Sequence, residues 1–122
     1  MTKLLRKTAI ILTVIFLILV FFSGCISNET FMVEMRDGIR LATDVYSPSE
    51  KILPHGTILI RTPYDKNNLR LTGSQWSQMG WPTVIQDMRG RYASEGIDTV
   101  FRNAHTDGPD TLEWIANQSF CN

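Results

Sequence analysis

Apolar residues are distributed along this chain in several distinct patterns, and each predicts a different element. Thr8 to Phe22 is a charge-free run of 15 residues, preceded by Lys3, Arg6 and Lys7. Phe31–Met35 and Ile39–Tyr46 are β-rich, and Asp37-Gly38 between them predicts a hairpin turn. In the second of these runs Ile39, Leu41, Thr43 and Val45 share one face at period two, with Arg40 and Asp44 on the other. That alternation predicts a half-buried antiparallel pair. Thr57–Ile60 and Thr83–Ile85 are short, continuous apolar runs, the pattern of strands buried on both faces of a parallel sheet. The stretch between them, Asn67 to Met79, has room for the crossover helix that a parallel pair requires. A second helix is predicted from about Asp107 to Gln118. Pro109 would lie in its first turn, where a missing N–H costs little, and Leu112, Ile115, Ala116 and Trp114 would face the sheet. Ser47 to Gly56, with Pro48 and Pro54, reads as a loop. The sum is an α/β architecture of four strands and two helices.

The basic start, the apolar run and the small residues Ser23-Gly24 together read as an export signal over residues 1–24. The run is short for a membrane span, which needs about 20 residues. Phe22-Ser23-Gly24-Cys25 resembles a lipobox, which implies that Cys25 is acylated and becomes the mature N-terminus. An uncleaved anchor is the other reading. Either one places the rest of the chain on the outer face of the cell membrane, held to lipid through a tether over residues 25–30, with a folded domain over 31–122.

The chain carries 12 basic and 12 acidic side chains. Removing Lys3, Arg6 and Lys7 with the signal leaves 9 basic against 12 acidic, a net charge of −3, over 98 residues. No basic patch survives, so nucleic acid is not an expected partner. The two cysteines, Cys25 and Cys121, are too few for a zinc site, and no cofactor is expected. Cys121, beside Phe120, reads as a small core residue.

The candidate chemistry sits in Arg61-Thr-Pro-Tyr-Asp-Lys66, at the carboxyl end of a predicted strand, where ligand sites of open α/β sheets lie. Pro63 restricts the backbone ahead of Tyr64. Two roles are open for Tyr64 from local sequence: a placed phenol that donates to a developing oxyanion, or a ring packed in the core.

Four blocks in register carry a resemblance. They are Met35-Arg-Asp-Gly-Ile-Arg-Leu-Ala-Thr-Asp-Val-Tyr46, Ile60-Arg-Thr-Pro-Tyr-Asp-Lys66, Val84-Ile-Gln-Asp-Met-Arg-Gly-Arg-Tyr-Ala-Ser-Glu-Gly96, and Asp110-Thr-Leu-Glu-Trp-Ile115 with Gln118-Ser-Phe-Cys-Asn122. Together they resemble the N-terminal portion of the serine hydrolase family that includes Xaa-Pro dipeptidyl-peptidases and cocaine esterase (CocE/NonD type). The resemblance implies an α/β-hydrolase fold and hydrolysis of ester or peptide substrates through an acyl-enzyme. It assigns Tyr64 the side-chain donor of an oxyanion hole. Asp87, Arg89 and Gly90 match a family block and are expected to shape a loop, with Asp87 accepting backbone hydrogen bonds. An exposed ion pair of Asp87 with Arg89 or Arg91 would be worth little.

The nucleophile elbow of such folds is Gly-x-Ser-x-Gly, and the acid and histidine follow it in the chain. None of the eight glycines starts that pattern. His55, His105, Ser74 and Ser94 are therefore expected to be solvated polar loop residues. In the strand order that the resemblance implies, the nucleophile strand would follow Asn122 and pair with Thr57–Ile60. The expectation is an N-terminal fragment of a hydrolase, inactive by itself, with a separate C-terminal half in trans as a possible partner. A small surface lipoprotein acting as a non-catalytic binding module is the alternative.

Overall fold

The computed structural model describes residues 13, 28–49 and 56–121, and these form one mixed sheet with helices on both faces. Apart from residue 13 the signal lies outside the described residues, as do Cys25 and His55. The first strand, β1 (Glu29–Glu34), starts two residues before the expected start of the domain. It pairs antiparallel with β2 (Arg40–Tyr46), from Glu29 opposite Val45 to Glu34 opposite Arg40. The turn between them closes as the Asp-Gly pair predicts, with Gly38 at φ 82° and its N–H donating to the Met35 carbonyl at 2.8 Å.

β3 (Ile58–Thr62) and β4 (Thr83–Asp87) pair in parallel. A 3-10 turn (Lys66–Leu69) and helix α1 (Arg70–Gln78) connect them. The strand order is β1-β2-β4-β3, so β2 and β4 are central and β3 forms one margin of the described sheet. Ile58, Leu59 and Ile60 are accordingly half-buried, whereas all five residues of β4 are buried.

The expectation of a half-buried β2 is corrected. Every residue from Leu41 to Tyr46 is buried, because β2 is paired on both edges and covered on both faces. On one face Val45 and Val84 pack against Ile115 of helix α2 (Ala104–Ala116), with Trp114, Phe120 and half-buried Cys121 around them. On the other face α1 approaches closely at Gly73. A Cβ there would sit 2.6 Å from Cδ2 of the fully buried Tyr46 ring, so only glycine fits without displacing that ring.

α2 also departs from its pattern. It starts at Ala104, led in by Asn103, whose carbonyl accepts from the N–H groups of Thr106 and Asp107. Pro109 is therefore the sixth helical residue instead of a first-turn residue, and the bond it forfeits is the one to the His105 carbonyl, itself near the helix start. The sheet-facing side is Asp107, Thr111 and Ile115, with Trp114 beside them, while Leu112 and Ala116 are exposed. Two polar side chains begin the buried stripe because the sheet beneath them is polar too. Among the described residues no helix is long and apolar enough to cross a membrane.

Candidate active site

β3 and β4 run parallel, so their carboxyl ends open at the same edge, and the two loops that follow them meet there. The loop after β3 carries Pro63 and Tyr64. The Tyr64 N–H donates to Thr62 Oγ1 at 3.0 Å, and its carbonyl accepts from Asn68 Nδ2 at 2.8 Å. The phenol itself is 76% exposed, which excludes a core role for the ring. Asp65 follows at φ 74°, a left-handed conformation rarely adopted by a residue with a side chain. Its carboxylate caps the next turn, Oδ1 accepting from the Asn67 N–H and Nδ2, both at 2.9 Å.

The loop after β4 is tied to the first through Asp87. Its Oδ1 accepts from the Lys66 N–H at 2.7 Å and its Oδ2 from the Ala93 N–H at 3.3 Å, as expected of a carboxylate that shapes a loop. Burial pushes the Asp87 carboxyl above the usual carboxylate range, opposed by these two backbone bonds. Arg89 does not pair with Asp87. It turns the other way, to Asp107 (2.6 Å) and Asp37 (2.8 Å), and these hydrogen bonds, chiefly the one to Asp107, raise its guanidinium pKa further. Arg91 pairs with Asp98. Gly90, at φ 69°, lies against the returning chain: a Cβ there would stand 2.1 Å from the Asp98 nitrogen and 2.4 Å from the Ile97 carbonyl carbon. Gly90→Ala is therefore expected to lower stability by about 1 to 2 kcal/mol from backbone conformation alone. Displacement of the Ile97–Asp98 backbone adds to that loss, which a urea denaturation midpoint would register.

Ser94 and Ser74 differ from expectation. Ser94 is half-buried, donating to the Asp87 carbonyl at 2.7 Å and accepting from the Ala42 N–H at 2.9 Å, so it fastens the second loop to β2. Ser74 is buried inside α1, not in a loop, and accepts from Gln78 Nε2. His105 is exposed as expected but belongs to the first turn of α2, its Nδ1 2.7 Å from the Arg102 carbonyl.

Sequence reading missed two buried charge groups under this edge. Lys66 is 5% exposed and its Nζ reaches Asp44 Oδ1 at 2.9 Å, where Thr30 Oγ1 also donates at 2.7 Å. On the opposite face, Arg61 donates to Gln86 Oε1 at 2.9 Å and to the Ala104 carbonyl at 3.3 Å, with its Nη2 3.7 Å from Asp107. Gln86 Nε2 in turn donates to Thr43 Oγ1 at 3.0 Å. Burial lowers the Arg61 pKa despite the neighbouring Asp107. The only hint in the sequence was a charged residue inside one strand run, Asp44, and another directly after the next run, Arg61. Among the described residues no cluster of three or more His, Cys, Asp or Glu is placed to hold a metal ion.

Three carboxylates, Asp37 (exposed), Glu95 and Asp110 (half-buried), are held below their ordinary values by hydrogen bonds from Arg89, Arg40 and Arg36. A depressed folded-state pKa contributes stability that is complete above the unfolded value and is lost as pH falls through the folded one. Asp87 has the opposite sign: with a raised folded-state pKa, its ionisation costs stability as pH rises. The three pairs outnumber it, so stability is expected to fall once pH drops below the ordinary values of 3.8 for Asp37 and Asp110 and 4.5 for Glu95. Denaturation midpoints of the parent and Asp110→Asn, recorded from pH 6 downward, check this: the gap between them should narrow with acid.

Residues 37–122 match the family described as X-Pro dipeptidyl-peptidase (S15 family). Cocaine esterase of Rhodococcus sp. (strain MB1 Bresler) is 42% identical over 96 residues, covering 74% of this chain and 17% of the relative. Among solved structures, an α-amino acid ester hydrolase superposes with a TM-score of 0.67 at 28% identity, over 79% of this chain and 20% of that one. An aminopeptidase from a marine sediment Thaumarchaeota archaeon gives 0.64 at 27% identity, with the same coverage. The chain thus spans about a fifth or less of the length of these relatives.

Proposed function

Because the chain belongs to the X-Pro dipeptidyl-peptidase (S15) family of α/β-hydrolases, we propose that it contributes the oxyanion-binding tyrosine to a serine hydrolase that cleaves ester or amide bonds through an acyl-enzyme. One observation carries the reading: the Tyr64 phenol stands exposed at the carboxyl edge of the sheet on a backbone bonded at both its N–H and its carbonyl. A serine oxygen attacking a carbonyl carbon moves an electron pair onto the carbonyl oxygen, and the phenol O–H donates to that oxygen as its charge develops. When the tetrahedral centre collapses, the alcohol or amine leaves and the acyl group remains on the serine. Water then releases the acid through a second centre of the same shape.

The nucleophile is not in these 122 residues, which lack Gly-x-Ser-x-Gly. In this reading the strand that carries it pairs with β3, whose outer side has no strand beside it among the described residues. The strand comes from the rest of a hydrolase, in the same polypeptide or in trans. Export and acylation at Cys25 would set the site on the outer face of the cell membrane, supported by the basic, apolar and small-residue order of residues 1–25.

Co-expression of the chain with the part of cocaine esterase that follows the aligned segment tests the reading. Hydrolysis of a chromogenic ester should appear only with both pieces present. The chain alone should stay unlabelled by a fluorophosphonate probe, and labelling of it would overturn the assignment.

A further inference from the structure

The segment that presents Tyr64 has an unusual foundation. Two residues after the tyrosine, Lys66 is buried and its two polar ends go to different strands. Its N–H donates to Asp87 of β4 at 2.7 Å, and its Nζ to Asp44 of β2 at 2.9 Å. Both carboxylates are at most 1% exposed. Between Lys66 and Tyr64 stands Asp65 at φ 74°, a conformation that persists only where its surroundings over-determine it. An exposed turn containing such a residue would relax unless it were pinned at its far end, and Lys66 is that end.

Stability does not explain the arrangement. A buried ion pair loses as much in desolvation as it gains in attraction, so well-packed uncharged residues generally serve as well or better. What the pair supplies that apolar packing would not is a fixed location, set by directional bonds to two strands. The same carboxylate of Asp44 is itself held from β1 by Thr30 Oγ1, so the anchor extends across three strands.

We propose that Lys66, clamped between Asp44 and Asp87, is the positioning residue that holds the Tyr64 hydroxyl in place over the carboxyl edge of the sheet. The functional purpose of that placement rests on the oxyanion reading of Tyr64; the placement itself does not. Lys66 touches no substrate and acts only through the turn.

The test is backbone order by ¹⁵N relaxation of the 122-residue chain, paired with its denaturation midpoint. In the parent, Tyr64 and Asp65 should be as ordered as the strands, with order parameters near 0.85 despite their exposure. In Asp44→Asn/Lys66→Met, which removes the two paired charges together and leaves Asp87 its backbone donors from residues 66 and 93, the midpoint should stay near the parent's. The order parameters of Tyr64 and Asp65 should fall below about 0.6, while the Met88–Gly96 loop keeps its own. A folded double variant with Tyr64 still ordered would overturn the proposal. So would a parent chain in which Tyr64 is already mobile, a result that needs no variant to fold. Neither outcome depends on hydrolysis, so failure here is separable from failure of the complementation assay.

Discussion

Asp107→Ala is expected to cost roughly 3 to 5 kcal/mol of folding stability, the range for breaking a buried ion pair from one side. The Asp107 side chain is 2% exposed and accepts two bonds from Arg89, at 2.6 and 3.1 Å. Arg61 approaches it to 3.7 Å. An arginine cannot escape its cost by giving up its proton, as a buried lysine can. Removing the carboxylate therefore leaves two guanidinium groups beneath α2. Arg89 keeps Asp37, but Arg61 keeps only Gln86 and the Ala104 carbonyl, and burial already disfavours its charge. Small domains are stable by about 5 to 15 kcal/mol in total, so a loss of this size brings the chain close to unfolding. Urea denaturation followed by tryptophan fluorescence reads it directly, since Trp114 sits on the same helix. A loss under about 1 kcal/mol would mean that water reaches Arg61 and that the pair is not the strut between helix and sheet.

Tyr64→Phe carries the largest expected effect on chemistry. In an assembled enzyme it should lower kcat by about 100- to 1000-fold, the usual consequence of removing one oxyanion donor. The ring is exposed and the hydroxyl forms no bond within the described chain that folding depends on, so stability should barely change. KM should change little, because the donor acts on charge that exists only in the transition state. An equal loss spread between KM and kcat would instead place the hydroxyl on the bound substrate.

Parts of this molecule could be read from residue order alone, and others could not, for identifiable reasons. The hairpin was legible because Asp37-Gly38 admits few other turns, and β4 because an unbroken apolar run suits a central parallel strand. The face of α2 was misread because its buried stripe begins with Asp107 and Thr111, and hydrophobic periodicity cannot register a polar core. Asp44 was assigned to solvent for the same reason. Its partner Lys66 lies in the 3-10 turn after β3, and no local pattern links the two. Ser94 gave no sign that it would fasten its loop to β2, because both its partners are backbone groups and Ala42 lies far away in sequence. Tyr64 stood out only through the resemblance of its block to a family; local sequence pointed as readily or more to a core ring, and its exposure removes that option.

We propose that this segment is a working oxyanion-bearing part of a family hydrolase. It is tested most directly by kcat/KM for a chromogenic ester in a chimera of cocaine esterase whose aligned 96-residue segment is replaced by that of this chain. The chimera should hydrolyse the ester and lose about two to three orders of magnitude of kcat/KM on Tyr64→Phe. A folded chimera with no hydrolysis, or an active one indifferent to Tyr64→Phe, would contradict it.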